Sequence, residues 1–297
     1  MELGDPLPDD FRQTGLTLAS CFGNIGRAMS YKSPRRPQFF YTTAPLPCPY
    51  VAGRTERKLV TEITGPDAEA MHDRLSRAGF RRSHNIAYAP VCPGCQACVA
   101  IRIHAAQFRG RRQARRIWRA NAATEGFEVP ARATAEQFHL FQRYQRHRHG
   151  DGDMATMSFY DYRAMVEDTP IETFIVEFRD PDDRLVAACL TDRLSDGLSA
   201  VYSFFTPDLA RRSLGTLMVL WLVERARDLD LPYVYLGYWV PESPKMAYKA
   251  KFAPSEVLVG GAWRPLGGGH GPHAQVARAD DAAPPALAIQ IRPESAG

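Results

Sequence analysis

From about Ala131 the hydrophobic period changes in an order that few folds can satisfy. Two helical patterns, TAEQFHLFQRYQRHRHG and SFYDYRAMVED, precede three strand patterns, ETFIVEFR, RLVAACLTDRL and LSAVYSFFTP. The links DPDD and SDG are tight-turn chemistry, so the three strands are expected to pair as an antiparallel meander. A long helix, SLGTLMVLWLVERARDLD, a buried strand, YVYLGYWV, and a short helix, SPKMAYKAKF, complete the run. A strand, a crossover helix and a second strand form a right-handed parallel unit.

Helices, then a meander, then a parallel crossover is the order of the acetyltransferase-like (GNAT-type) α/β fold, an α+β arrangement with a mixed sheet. This domain is expected over residues 131–266. Before it, residues 31–130 have a different composition. They are rich in arginine, with a helix expected over GPDAEAMHDRLSRAG (Pro66 at its start, Gly79 as its stop) and strands around Ala87 and in ACVAIRIHA. They read as a smaller, basic, cysteine-containing N-terminal domain. Residues 1–30 show no sustained period and are expected to form a disordered extension. Residues 267–297, rich in Gly, Ala and Pro, are expected to form a disordered tail. No run approaches the roughly 18 to 20 apolar residues of a membrane-crossing helix. LTLASC is preceded by Glu2, Asp5, Asp9 and Asp10 where a secretion signal needs positive charge. A cytoplasmic protein with reduced thiols is the expectation.

The net charge of +4 conceals an uneven distribution. From Arg74 to Thr124 there are eleven arginines and neither Asp nor Glu, so the rest of the chain carries a net −7. Within this window Arg112, Arg115, Arg116 and Arg119 share one helical face, with Arg109 just before them. No acid in the segment can neutralise that face. A solvated surface met by carboxylates from elsewhere is one reading. A track for a phosphate backbone is the other, since several such contacts make binding strong and salt-dependent.

RRSLGT, between the last meander strand and the long helix, places Arg212 and Gly215 where backbone N–H groups and a helix N-terminus face an anion. The strand YVYLGYWV and the segment after it bring Tyr238, Lys245, Tyr248 and Lys249 near the carboxyl end of the last strand, where open α/β sheets collect ligands. YQRHRHGDGDM gathers Tyr144, Arg148 and His149 at a helix end, where the bland reading of His149 is no more than a favourable C-terminal cation. CPGCQAC spaces Cys92, Cys95 and Cys98 three residues apart. A structural zinc or an iron–sulfur cluster needs four ligands, with Cys48 as the fourth or His84 or His104 in its place. Packing as small apolar residues is the alternative.

Taken together, RRPQFFYTTAPLPCPY, GFRRSHNIAYAPVCPGCQACVAIRI, YQRHRHGDGDM, TDRLSDGLSAVYSFFTP, RSLGT, LPYVYLGYWVPESPKMAYKAKF and GAWRP resemble the bacterial aspartate/glutamate leucyltransferases, relatives of the eukaryotic arginyl-tRNA–protein transferases. The resemblance runs in order from about Ser33 to Pro265. It implies transfer of leucine from leucyl-tRNA to the N-terminal α-amine of proteins that begin with Asp or Glu, creating a degradation signal. It also implies a pair of cysteines where this chain has Cys48 and Val51, so one ligand of the family's pattern is missing and no metal or cluster is expected. On this reading Tyr238 and Tyr248 serve as oxyanion or proton-relay groups and Asp192 as an acid or base. Arg212, Gly215 and the basic helix hold the tRNA, while Lys245 and Lys249, with Arg81 or Arg82, hold the acceptor's carboxylate. Rival readings are an arginyl transferase, an acyl-CoA N-acetyltransferase and a non-enzymatic RNA-binding protein, the last requiring that the transferase-like half lack a cleft.

Overall fold

The computed structural model describes residues 37–150 and 152–267. The expected N-terminal extension, and the tail from residue 268 onward, lie outside the described residues. Three two-residue strands, β1 (Tyr41–Thr42), β2 (Leu46–Pro47) and β3 (Thr55–Glu56), lead into β4 (Lys58–Glu62), α1 (Ala68–Arg77), β5 (Arg81–Ser83) and β6 (Ile86–Pro90). Then come β7 (Val99–His104), α2 (Arg112–Ala120), β8 (Glu125–Pro130), α3 (Ala135–Arg148), α4 (Phe159–Glu167) and the strands β9 (Thr173–Arg179), β10 (Leu185–Leu194) and β11 (Gly197–Phe205). α5 (Leu214–Asp228), β12 (Tyr233–Trp239) and a hairpin of β13 (Ser255–Val259) and β14 (Ala262–Pro265) finish the described chain.

Two of the helices, α3 and α4, start where side chains satisfy the free N–H groups of a first turn. Thr134 and Gln137 form a reciprocal capping box at α3, and Ser158 and Asp161 do the same at α4. β9, β10 and β11 form the expected antiparallel meander, and β12 pairs in parallel with β11 after the α5 crossover. The SPKMAYKAKF segment departs from its expected helix and forms only a 3-10 turn over Ala247–Lys251. The Lys249 ammonium reaches back to the carbonyls of Leu236 and Tyr238, at 2.8 and 2.6 Å, and holds the segment as a tight turn against β12.

The eight-stranded sheet has the order β14-β13-β7-β12-β11-β10-β9-β8. Two of its strands, β7 and β8, come from the arginine-rich segment: β7 pairs with β12 and β13, and β8 pairs with β9 at the sheet edge. The change of composition near residue 130 is therefore not an edge of the sheet. A four-stranded sheet, β1-β4-β6-β5, carries α1.

Both faces of the large sheet are covered, which is why its inner strands are apolar at nearly every position instead of alternating. Along β9, Phe174, Val176 and Phe178 join the cluster with α2 and α5, while Ile175 joins the cluster with α3 and α4. α5 is apolar almost all round, as a helix buried between layers must be. Each of its buried leucines, Leu214, Leu217, Leu220 and Leu222, contributes roughly 1.5–3 kcal/mol by leaving water.

Candidate functional site

β11 and β12 pair only from Gly197–Ser199 to Tyr233–Tyr235. Beyond those three positions β11 runs on to Phe205 and β12 to Trp239 without pairing to each other, so the sheet opens between them into a wedge with backbone carbonyls on both sides. Arg81, from β5, enters this wedge. Its guanidinium donates to the carbonyls of Ala200 (3.0 Å), Val201 (2.7 Å) and Leu236 (3.4 Å). Lys249 covers the Leu236 and Tyr238 carbonyls from the other side. Gly237 makes the arrangement possible: its φ is +72°, and a Cβ there would stand 1.5 Å from Arg81 Nη1.

In front of the wedge lies a cleft of about 820 Å3. The end of α3 supplies Tyr144, Gln145, Arg148 and His149, and β11 supplies Tyr202, Ser203 and Phe205. Ser213 to Thr216 at the start of α5, the Lys245–Met246 turn, Tyr248 and Tyr50 close the other sides. The Gln145 amide donates to the Tyr202 hydroxyl at 2.6 Å, which leaves that hydroxyl's proton free to be donated. Burial raises the pKa of Tyr144 and Tyr248 and pushes Tyr202 up to about 12, so all three stay protonated donors. Arg148 and Lys245 are exposed, and among the described residues neither has a carboxylate within salt-bridge distance. Burial first, and then Lys245 and Arg148, lower the pKa of His149, so its imidazole is neutral at pH 7.

Lys245, Tyr248 and Gly215 line the cleft, as the sequence suggested. A Cβ at Gly215 would meet the Phe205 ring at 3.2 Å, so close packing is one reason for glycine there. Several other expected site residues lie elsewhere, each held by another partner. Asp192 is sealed from solvent in a bidentate pair with Arg82 (2.6 and 2.7 Å), with Thr173 and His72 beside it. That network ties β5 and α1 to β10, and it removes Asp192 and Arg82 from contact with substrate. The Tyr238 hydroxyl lies 3.0 Å from the carbonyls of both Gly79 and Tyr88, which occupy its one proton. Arg81 and Lys249 are committed to the wedge carbonyls, so neither cation is free to grip an acceptor's carboxylate.

The basic helix is exposed as expected. Arg109, Arg112, Arg115, Arg116 and Arg119 face solvent, and none has a carboxylate within salt-bridge distance among the described residues. Ala114 and Ile117 bury the opposite face against α5. Asn121, at the end of α2, donates to the Arg212 carbonyl at 2.9 Å and fastens the helix to the loop that opens the cleft. The thiols of Cys48, Cys92, Cys95 and Cys98 are free and half-buried. Val51 N–H donates to Cys48 Sγ, and Cys92 Sγ exchanges hydrogen bonds with the Arg57 backbone. Burial, and then the three other thiols, push Cys98 up to about 12. Cys48, Cys92 and Cys95 thus lie near enough to Cys98 to act on its thiol, although among the described residues no three His, Cys, Asp or Glu side chains converge as a metal's ligands would.

Tyr202 and Gln145 escaped the sequence reading, because a meander strand and a helix face read first as core. The only signal was YQRHRHGDGDM, whose density of Tyr, Arg and His exceeds what a helix end needs.

Residues 46–116 match the family model described as Arginine-tRNA-protein transferase, N terminus, and residues 136–259 match the one for its C terminus. The aspartate/glutamate leucyltransferase of Gluconacetobacter diazotrophicus is 67% identical over 238 residues, covering 80% of this chain and 92% of that protein. The protein of the same name from Paramagnetospirillum magneticum is 64% identical over 237 residues, 80% of this chain and 97% of that one. Among solved structures, L-PGS from Bacillus licheniformis aligns with a TM-score of 0.43 at 10% identity, over 58% of this chain and 59% of its own.

Proposed function

We infer the chemistry of the cleft from one premise: the chain belongs to the aspartate/glutamate leucyltransferases, within the arginine-tRNA-protein transferase family. It is an aminoacyltransferase that moves leucine from leucyl-tRNA to the N-terminal α-amine of proteins beginning with Asp or Glu, which marks them for degradation. The arginyl-donor and acyl-CoA alternatives give way to the naming of relatives this similar. The non-enzymatic alternative required the absence of a cleft, and an 820 Å3 cleft is present. No helix among the described residues is long and apolar enough to cross a membrane. A charged tRNA as donor supports a cytoplasmic setting.

The observation that carries the mechanism is that His149 lines the cleft with Lys245 and Arg148, two cations that have no carboxylate within salt-bridge distance among the described residues. The aminoacyl ester is already activated, so catalysis consists mainly of holding an amine against its carbonyl carbon and removing one proton. His149 takes a proton from the acceptor's α-ammonium. The freed amine attacks the ester carbonyl, forming a C–N bond and a tetrahedral oxyanion. The Tyr202 and Tyr248 hydroxyls donate to that oxyanion. As it collapses, the C–O bond to the ribose breaks and the ribose oxygen takes the second proton from the nitrogen. Lys245 and Arg148 hold the acceptor's side-chain carboxylate, which is the group that Asp and Glu share. Ser213 to Gly215, at the start of α5, receive a phosphate near the 3′ end, and the α2 arginines track the tRNA backbone.

Mass spectrometry of an Asp-starting peptide, after incubation with leucyl-tRNA, tests the reaction by the gain of one leucyl residue. An unchanged peptide would overturn the reading. Replacing Lys245 and Arg148 together with Met should lower transfer to that peptide by about one to two orders of magnitude, while transfer to an Asn-starting peptide stays near its baseline.

A further inference from the structure

Behind the catalytic cleft lies a second cavity of about 270 Å3, and nothing in the mechanism above uses it. The two meet where Tyr50, Tyr144, His149, Tyr202 and Tyr248 line both. The deep wall is apolar, built from Met218, Val219 and Leu222 of α5, Leu236 of β12 and Val201 of β11. Arg81 and Lys249 also line it, and among the described residues no Asp or Glu does. We propose that this inner cavity receives the isobutyl side chain of the leucyl ester, and that the Arg81 guanidinium in its lining rejects a cationic side chain such as that of an arginyl ester.

The inference rests on the transferase reading and assigns the specificity of the same site. Volume is the first argument. At about 30 Å3 for each water-sized group, the four carbon groups of leucine's side chain need roughly 120 Å3, which the cavity holds with room for the α-carbon. Volume alone does not choose between donors, because the seven heavy atoms of an arginine side chain need roughly 210 Å3 on the same scale. Charge makes the choice. A guanidinium leaving water needs acceptors; the carbonyls of Ala200, Val201, Leu236 and Tyr238 already accept from Arg81 and Lys249, which leaves it the uncharged hydroxyls of Ser203 and the lining tyrosines in place of a carboxylate. It would also stand beside a guanidinium that cannot deprotonate, with no carboxylate in the lining to offset the repulsion. A leucyl side chain asks for no acceptor and meets apolar walls. Discrimination thus comes from what the wrong side chain cannot satisfy, a stronger filter than fit alone.

The test uses one tRNA body charged in turn with leucine, methionine, phenylalanine, citrulline and arginine, and the unaltered protein with an Asp-starting peptide. Leucyl and methionyl transfer should be fastest, and arginyl transfer at least about 100-fold slower than leucyl. Citrulline, which matches arginine in length without its charge, should fall between them. Arginyl transfer within about threefold of leucyl, or citrulline no better than arginine, overturns the proposal. Met218→Ala widens the cavity and should raise phenylalanyl transfer relative to leucyl by about tenfold, and an unchanged ratio in the folded variant counts against the assignment. The ester series on the unaltered protein decides the matter if that variant fails to fold. Absence of transfer from every ester, leucyl included, overturns the transferase reading and the pocket with it. An even series with active leucyl transfer overturns the pocket alone.

Discussion

His149 accepts a proton only as a neutral imidazole, and its surroundings keep it so: partial burial first, then the positive charges of Lys245 and Arg148. Transfer should therefore fall as the pH drops through a pKa below histidine's ordinary value. Lys245→Met removes one repelling cation, so the His149 pKa rises and the acid limb of kcat/KM should move to higher pH. A limb that stays in place would assign the proton to another group. Lys249 shows a different effect of burial. Burial, and then Arg81, push its pKa down to about 7. The unfolded lysine titrates at about 10.4, so between these values the unfolded chain binds more protons than the folded one. Stability should thus rise with pH across that window, the unfavourable contribution being fully present below it. The slope from this group approaches about 1.4 kcal/mol per pH unit. Lys249→Met should remove that component from urea unfolding measured across the window, and identical slopes for the two proteins would refute the buried titration. The sequence could not distinguish Lys245 from Lys249: both sit in one lysine-rich turn, and their separation depends on Gly237, whose positive φ opens the wedge that takes one of them.

At the level of elements, the apolar side of α2 is fixed against α5 through Ala114 and Ile117, so its arginine face can be altered without disturbing the core. Replacing Arg112, Arg115 and Arg116 with Gln should weaken tRNA binding and lower the salt slope of its affinity by about 3 units, because each lost phosphate contact removes close to one. The same slope at equal Tm would show that the helix does not touch the tRNA. α2 was legible because its arginines recur at helical spacing with no acid among them, and the meander because β9, β10 and β11 are joined by turn residues. β8 was not legible. Its sequence, EGFEVP, combines Gly126, Pro130 and two glutamates, all unfavourable in a strand, and it is ordered by pairing with β9 across a long stretch of chain. Gly126 has a specific reason to be there: a Cβ would stand 2.6 Å from the Trp221 indole nitrogen, which donates to the Gly126 carbonyl.

For the whole molecule, what matters is how the large sheet is shared along the chain. Composition suggested two halves meeting near residue 130, and the contrast in charge is real, but the sheet takes β7 and β8 from the first half and the meander and β12 from the second. Without β7, one edge of β12 loses its antiparallel partner and the hairpin β13–β14 loses its anchor. Loss of α2 and β8 uncovers part of the α5 cluster and the far edge of β9. Arg81 and the Arg82–Asp192 pair also cross from the first half to the second, so cutting there takes away Asp192's cation together with the α1 and β5 side chains that seal it, and leaves the wedge carbonyls of Ala200 and Val201 without their donor. Residues 131–266 expressed alone should therefore lack a cooperative thermal transition, whereas the full chain should show the sheet melting in one step by both far-UV circular dichroism and tryptophan fluorescence. A soluble 131–266 fragment with a sharp transition of its own would show that the segment before residue 131 docks onto a sheet that is already complete without it.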